Sequence, residues 1–372
     1  MSQTAVAVIH SAAIQHNFRL LKEKAAGCKV MPVLKANAYG HGMVAVAKLL
    51  PEADAFAIAR IDEGVKLRNA GIEQRLVVLG GCIDQVELVR AMEHGLDLVV
   101  HHAVQLELLN SYQGGRQVRV WVKVDTGMGR LGFDPAELPQ VLQHLADCEA
   151  VTGQPVVMSH LACADEPDND MTLRQIERFG HCLGESLINF GGDVSIANSA
   201  GILQWPEALQ PSEKFHYTGD NWVRPGLALY GVSPVNGRTA ADLGLQPAMT
   251  FRSRLITVKP IKTGDSVGYG ADYVAAHDSV FGVAAVGYGD GYPRGIAEGT
   301  PVLVNDKRAA IIGRVSMDLI AIDLAGQPDA KPGDVVELWG EQLEVQEIAE
   351  CAGTIAYELL TQLSRRPPRE LD

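Results

Sequence analysis

Short apolar strands recur along the first two thirds of this 372-residue chain, most of them followed by a helical stretch. No other feature constrains the fold as strongly, because buried strands alternating with helices form a parallel sheet with the helices outside it. A first helix is predicted from Ser11 to Ala26. Strands are predicted at 29–34 (KVMPVL), 55–59 (AFAIA), 76–79 (LVVL), 96–100 (LDLVV) and 117–124 (QVRVWVKV). Three more follow at 156–160 (VVMSH), 193–197 (DVSIA) and 223–229 (VRPGLAL), the last interrupted by Pro225 and Gly226. Eight such strands argue for a closed (β/α)8 TIM barrel over residues 9–235 rather than an open sheet.

After about residue 236 the pattern changes. FRSRLITVKPI, TGDSVGYG, SVFGVAAVGYGDG, PVLVNDKRAAIIGR and GDVVELWG read as strands separated by Gly, Asn and Asp turns. A long helical stretch returns only at about 345–363. This predicts a mostly β C-terminal domain over 236–372, joined by residues 1–8 and packed closely on the barrel, since no long linker intervenes.

Composition narrows the possible partners. A formal charge of -13 disfavours nucleic acid and anionic membranes, while a locally basic pocket for a small anion stays open. The six cysteines contain no C-x-x-C pair, so free thiols in a reducing compartment are expected. The N-terminus lacks the basic start and apolar stretch of a signal peptide, and no apolar run is long enough to span a bilayer. A cytoplasmic enzyme acting on a small molecule is the expectation.

Barrels place chemistry at the C-terminal ends of their strands, and several such ends carry polar residues. In VMPVLKANAYGHG, alternation puts Met31, Val33 and Lys35 on one face. A partly buried lysine there could be an anion ligand, a general base or a Schiff-base amine; it could also be a surface lysine capping a strand. Tyr39 and His41 follow in a tight turn, where His41 could equally be a packing histidine. In QVRVWVKVDTGMGRLG, valines alternate with Arg119, Trp121, Lys123 and Asp125. If the valines meet the helices, Lys123 points inward and needs a negative partner or a changed charge state. Arg130 then offers a rigid fork of donors for an oxyanion. His160 ends PVVMSH. Asn198 and Ser199 in ANSAG suit either an ordinary turn or a phosphate cradle, and Gly226 in RPG allows a close backbone approach. Tyr269 in VGYG, Asp318 in GRVSMD and Tyr357 in the C-terminal helical stretch would each, taken singly, be ordinary packing or surface residues.

Together these motifs are specific. KANAYGHG, TGMGR, SHLA, ANSAG, VRPGLALYG, VGYGADY, GYGDGYPR, SMD and TIAYE occur in this order from about residue 8 to 363. The chain closely resembles the bacterial alanine racemases, which use pyridoxal 5'-phosphate (PLP). The resemblance implies a barrel followed by a β domain, and a head-to-tail homodimer in which each β domain completes the partner's site. It implies that Lys35 holds PLP covalently, and that Tyr39, Ser199 and Tyr357 hold its phosphate with backbone N–H groups near Gly226 and Leu227. Asn198 falls in the same cofactor-binding group. Arg224 would face the pyridine nitrogen with support from His160, and Arg130 would meet the substrate carboxylate. Tyr269, Met317 and Asp318 would come from the other subunit, with Tyr269 and Lys35 as the two bases that interconvert L-alanine and D-alanine. Lys123 matches a position that is often carbamylated. One departure is visible: where the family often has a histidine three residues before the Asn of ANS, this chain has Ser195. A broader amino-acid racemase, a PLP barrel decarboxylase and a non-catalytic PLP-binding protein are the alternatives within this resemblance. A hydrolase using paired carboxylates fits less well, because the strand ends carry Lys, Arg and His.

Overall fold

The computed structural model describes residues 5–184, 191–209 and 219–372. After a first strand β1 (Val6–Ile9), the helix Ser11–Lys24 buries Ala13, Ile14, Asn17, Phe18 and Leu21 along one stripe, the spacing of an amphipathic helix. Asn17 is the polar member of that stripe. Its Nδ2 donates to the carbonyls of Leu229 (3.1 Å) and Gln246 (2.8 Å), and its Oδ1 accepts from the Gln246 N–H (2.8 Å). The helix is thereby fixed to the junction between the two halves of the chain.

Parallel strands then follow: β2 (Lys29–Val30), β3 (Ala55–Ile58), β4 (Arg75–Val78), β5 (Asp97–Val100), β6 (Val120–Lys123), β7 (Val156–Met158), β8 (Val194–Ser195) and β9 (Trp222–Val223). β3 to β8 form one continuous parallel ladder in sequence order, with Val99 opposite Trp121 and Lys123 opposite Met158. β2 and β9 pair separately. They meet the ladder through the isolated bridges Val33–Ala57 and Val194–Asn221.

The closed barrel expected from the sequence is therefore present in part, as a curled six-stranded parallel sheet with the β2–β9 pair attached by single bridges. The reason lies in the two seam segments. Pro32 and Pro225 have no N–H to give to a ladder; their carbonyls still accept from Ala57 (2.9 Å) and Val33 (2.8 Å). The predicted strand at 223–229 stops at Val223, and Leu227–Tyr230 form a 3-10 turn instead. The strand predicted at 29–34 likewise keeps its regular ladder only over Lys29–Val30, just ahead of Pro32, and the chain leaves extended geometry at Leu34 (ψ 4°).

The C-terminal domain is built on β10 (Met249–Ile261), a thirteen-residue strand with alternating burial over its first half. The strands β11 (Ser266–Val267) and β12 (Tyr273–Val274) form a separate small hairpin. β13 (Ser279–Ala284), β14 (Pro301–Val304), β15 (Lys307–Ile312), β16 (Ile320–Asp323) and β17 (Val335–Trp339) pair antiparallel in the order β13-β16-β15-β14-β17-β10, and β10 also pairs with β13. That second pairing closes these six strands into a ring. β1 lies against β10, and β18 (Arg369–Leu371) runs parallel to β1. Two helices, Val345–Cys351 and Ala356–Gln362, replace the single stretch predicted at 345–363; Gly353, at φ 64°, separates them. One contiguous apolar core runs through both domains and includes Trp121, Tyr230 and Trp339. Among the described residues no helix is long and apolar enough to cross a membrane.

Gly231 ends the turn that leads from one domain to the other. Its φ is +74°, and a Cβ there would collide with the Gln246 carbonyl. Gly231→Ala is expected to lower the unfolding free energy in urea by at least about 2 kcal/mol, since left-handed geometry alone costs a non-glycine residue roughly half that or more. An unshifted unfolding midpoint would mean that the junction can relax around a methyl group.

Candidate active site

The site starts where β2 stops. Alternation along the strand does not place Lys35, because the chain has already turned at Leu34. The next four residues, Ala36, Asn37, Ala38 and Tyr39, all adopt left-handed φ angles between 50° and 56°. Each such residue costs about 1–2 kcal/mol, so the surrounding structure must hold the turn. The Glu63 carboxylate accepts from the N–H groups of Ala36 (2.9 Å) and Ala59 (2.7 Å). The Leu34 carbonyl accepts from Ala38 N–H (2.7 Å), and Asn37 Oδ1 accepts from Met43 N–H (3.1 Å). Gly40 packs against the Leu360 carbonyl with no room for a Cβ, and its own carbonyl accepts from Arg369 Nε (3.0 Å). The C-terminal domain thus clamps the turn from outside.

Tyr39 is buried between two other tyrosines, with ring centroids 4.9 Å from Tyr230 and 5.8 Å from Tyr357. Tyr230 donates to the Val33 carbonyl (2.8 Å) and stacks on His41. His41 is a packing histidine: its Nδ1 faces the carbonyls of Ala38 and Tyr39, and burial pushes its pKa down to about 4. The Tyr39 hydroxyl passes so close to Gly226 that a Cβ there would lie 2.7 Å from it. Ser199 Oγ accepts from the N–H groups of Gly226 (2.8 Å) and Ala228 (3.3 Å), and Leu227 opens the intervening 3-10 turn. The Asn198 side chain is engaged in capping the helix Ser199–Gln204, accepting from Gly201 N–H (2.9 Å).

Arg224 anchors the other side. It is buried without a carboxylate partner among the described residues. Its guanidinium donates to the Ser159 carbonyl (2.7 Å), the Ile196 carbonyl (3.2 Å), His160 Nδ1 (3.3 Å) and Ser195 Oγ. Burial lowers its pKa to about 10, which leaves it charged at neutral pH. An arginine can only donate, so His160 Nδ1 must accept, and the proton of the neutral ring sits on Nε2. Burial, followed by the Arg224 charge, holds the His160 pKa well below the histidine range. Ser195 takes the place the family often gives to histidine. Its Oγ accepts from Arg224 and donates to the Trp222 carbonyl (2.7 Å).

Lys35, Lys123, Arg130 and Arg224 converge here. Burial first, then Arg130, lowers the Lys35 pKa. Burial, then Arg224, Arg130 and Lys35, pushes Lys123 down to about 8. Arg130 is exposed, yet its charge reaches both lysines and His160. Glu63 and Asp125 oppose this field only in part. A concentration of positive charge beside a reactive amine suits an anionic ligand with a carbonyl carbon, and the phosphate, aldehyde and pyridine of PLP fit that donor set.

Three of the expected residues lie elsewhere in the single chain. Tyr269 is 69% exposed in the turn between β11 and β12, and Met317 is 53% exposed in the loop before β16. Asp318 is ion-paired with Arg366 (2.7 Å). No hydrogen bond or ion pair among the described residues joins them to the Lys35 cluster. Sequence reasoning also missed Glu63 and Tyr230. Tyr230 stands at the end of VRPGLALY, where the motif offered a signal; Glu63 had none beyond its place in the first turn of a helix.

The family model "Alanine racemase, N-terminal domain" matches residues 9–234, and "Alanine racemase, C-terminal domain" matches 248–371. An alanine racemase of Shewanella sediminis is 48% identical over 360 residues, 97% of each chain. The solved biosynthetic alanine racemase of Pseudomonas aeruginosa superposes with a TM-score of 0.91 at 40% identity, covering 100% of this chain and 99% of that one. The alanine racemase of Bartonella henselae, solved with covalently bound pyridoxal phosphate, gives a TM-score of 0.87 at 28% identity over 99% of each chain.

Ser195→Ala would leave one arm of a buried guanidinium without its acceptor. The expected loss is about 2 kcal/mol of unfolding free energy, the usual cost of an unmade hydrogen bond to a buried charge. Equal urea midpoints for Ser195→Ala and the parent would show that water or a carbonyl replaces the hydroxyl.

Proposed function

This chain belongs to the alanine racemase family and interconverts L-alanine and D-alanine with pyridoxal 5'-phosphate; on that premise we propose that Lys35 and Tyr269 carry the α-proton on opposite faces of the substrate. Bound PLP supplies the electron withdrawal that makes the α-proton removable. The residues of the chain do the rest. The neutral amine of Lys35 is the group that would hold the cofactor and then accept or return a proton. Its lowered pKa, caused by burial and Arg130, raises the neutral fraction that this work needs.

Tyr39, Ser199 and Tyr357, with the N–H groups of Gly226 and Leu227, would hold the phosphate. Arg224 would face the pyridine nitrogen as a donor and, being protonated itself, would not readily pass a proton to it. His160 and Ser195 keep it in place. Arg130 would meet the substrate carboxylate, with Met317 and Asp318 limiting the space beside the α-carbon. The observation that carries the reading is the concentration of cations around Lys35, beside a Tyr39 hydroxyl lying against Gly226.

Tyr269, Met317 and Asp318 belong in this reading to the neighbouring subunit of a head-to-tail homodimer, and their exposure in one chain supports it. The eight strands would act as one (β/α)8 barrel, with the domain boundary at 235/236 and residues 1–8 completing the β domain. The enzyme would work in the cytoplasm, where the same chemistry serves D-alanine supply for peptidoglycan or D-alanine breakdown. Lys123, with a pKa of about 8, has enough neutral amine at neutral pH to attack carbon dioxide. An N–C bond forms, one proton leaves, and the carbamate gives the surrounding cations a negative partner.

Two experiments test this. Lys35→Ala and Tyr269→Phe should each abolish most racemisation, measured as D-alanine formed from L-alanine. Refolding the two variants together should restore about a quarter of the activity, since half the dimers are mixed and each mixed dimer has one intact site. No recovery would place both groups in the same subunit's site. Enzyme equilibrated with 13C-bicarbonate should show a carbamate carbon resonance that Lys123→Met lacks; a resonance present in both would remove the modification from Lys123.

A further inference from the structure

Met317 and Asp318 sit in a turn, residues 316–319, closed by a hydrogen bond from Ser316 N–H to the Leu319 carbonyl (2.9 Å). This turn docks on the GYGDG segment: Tyr288 N–H donates to the Ser316 carbonyl (3.1 Å) and Gly289 N–H to the Met317 carbonyl (2.8 Å). These bonds fix the backbone of the turn and leave the Asp318 side chain undirected. The one group among the described residues that binds its carboxylate is Arg366, through Nη2 (2.7 Å). Arg366 Nε also faces Asp290 Oδ1 at 3.4 Å. Asp290 is buried and feels the Asp318 charge as a repulsion. Arg366 therefore stands between two carboxylates that would otherwise push apart.

Arg366 is itself held in place. Its N–H donates to Ser364 Oγ (3.2 Å), which donates to the Gly289 carbonyl (2.9 Å), and Ser364 N–H donates to the Asp290 carbonyl (3.0 Å). The guanidinium crosses directly over Gly289, where a Cβ would strike it. From these contacts we propose that Arg366 is a positioning residue for substrate binding: it aims the Asp318 carboxylate at the alanine-binding site. The inference rests on the assignment of Met317 and Asp318 to the substrate. A half-exposed ion pair contributes little to folding, so its removal should be felt in substrate binding and hardly in stability.

The test uses the PLP-loaded enzyme and four variants: Arg366→Met, Arg366→Lys, Asp318→Asn and the double Asp318→Asn/Arg366→Met. Arg366→Met should raise the KM for L-alanine roughly tenfold with little change in kcat, the pattern of lost uniform binding. Arg366→Lys should recover part of the loss, and the thermal midpoints should stay close to that of the parent. The double variant should be no worse than the worse single variant, because both changes disrupt one interaction. Additive losses, or a lowered thermal midpoint with KM unchanged, would overturn the proposal. If Asp318→Asn raises KM and Arg366→Met does not, the positioning role alone fails. If Asp318→Asn leaves KM unchanged, the substrate assignment of Asp318 fails and takes this inference with it.

Discussion

A guanidinium buried without a carboxylate partner among the described residues organises the top of the N-terminal domain. Arg224 has to satisfy its donors with backbone carbonyls, a hydroxyl and an imidazole, and those acceptors come from the ends of β7 and β8 and the segments after them. The same contacts cross the seam where the regular ladder gives way to single bridges. The residue that would face the cofactor's pyridine nitrogen therefore also ties together the part of the sheet with the fewest ladder hydrogen bonds. Ser195 fits this arrangement in its own way. A histidine could take or lose a proton beside Arg224, whereas a hydroxyl accepts and donates at any ordinary pH. Among the described residues the titratable group hydrogen-bonded to Arg224 is His160, and burial keeps that ring neutral.

The second constraint is the left-handed turn after Lys35. Four consecutive strained residues persist only when their surroundings over-determine them. Here Glu63 holds the turn from the N-terminal domain, while Leu360 and Arg369 hold it from the C-terminal domain. The C-terminal segment thus has two duties. Arg369 grips the cofactor-side turn of its own chain, and three residues earlier Arg366 grips the loop that would enter a neighbour's site. Both arginines bind the Ser364 region.

Much of the candidate site was legible in the sequence. Lys35, Arg130, His160, Ser199 and Arg224 stand out because chemistry in a β/α domain collects at strand ends, and their motifs have a fixed order. The valines on either side of Lys123 allow an inward direction without requiring it; in the fold Lys123 is buried beside the charges of Lys35, Arg130 and Arg224. Other features could not be read. Strand alternation placed Lys35 by the wrong argument, since it assumed extended backbone where the chain had already turned left-handed. Pro225 hinted that the eighth strand was short, but the 3-10 turn behind it depends on Ser199 capturing two N–H groups from 29 or fewer residues away. Glu63 reaches Ala36, Tyr230 reaches Val33 and Arg366 reaches Asp318, all distant in the chain, and of the three only Tyr230 stands in a motif that marks it.

By itself the sequence determined the two-domain grammar, the chemical types present at the strand ends and the family to which they belong. These are properties of periodicity and of local motifs, and both survive in a one-dimensional record. Tertiary structure alone decided how the charges act on one another. The lowered pKa values of Lys35 and Lys123 come from burial and from cations remote in sequence. The neutrality of His160 and the aim of Asp318 likewise depend on distances set only when the chain is packed. Electrostatic energy falls with separation in space and takes no account of separation along the chain, so this part of the protein became visible only in the folded molecule.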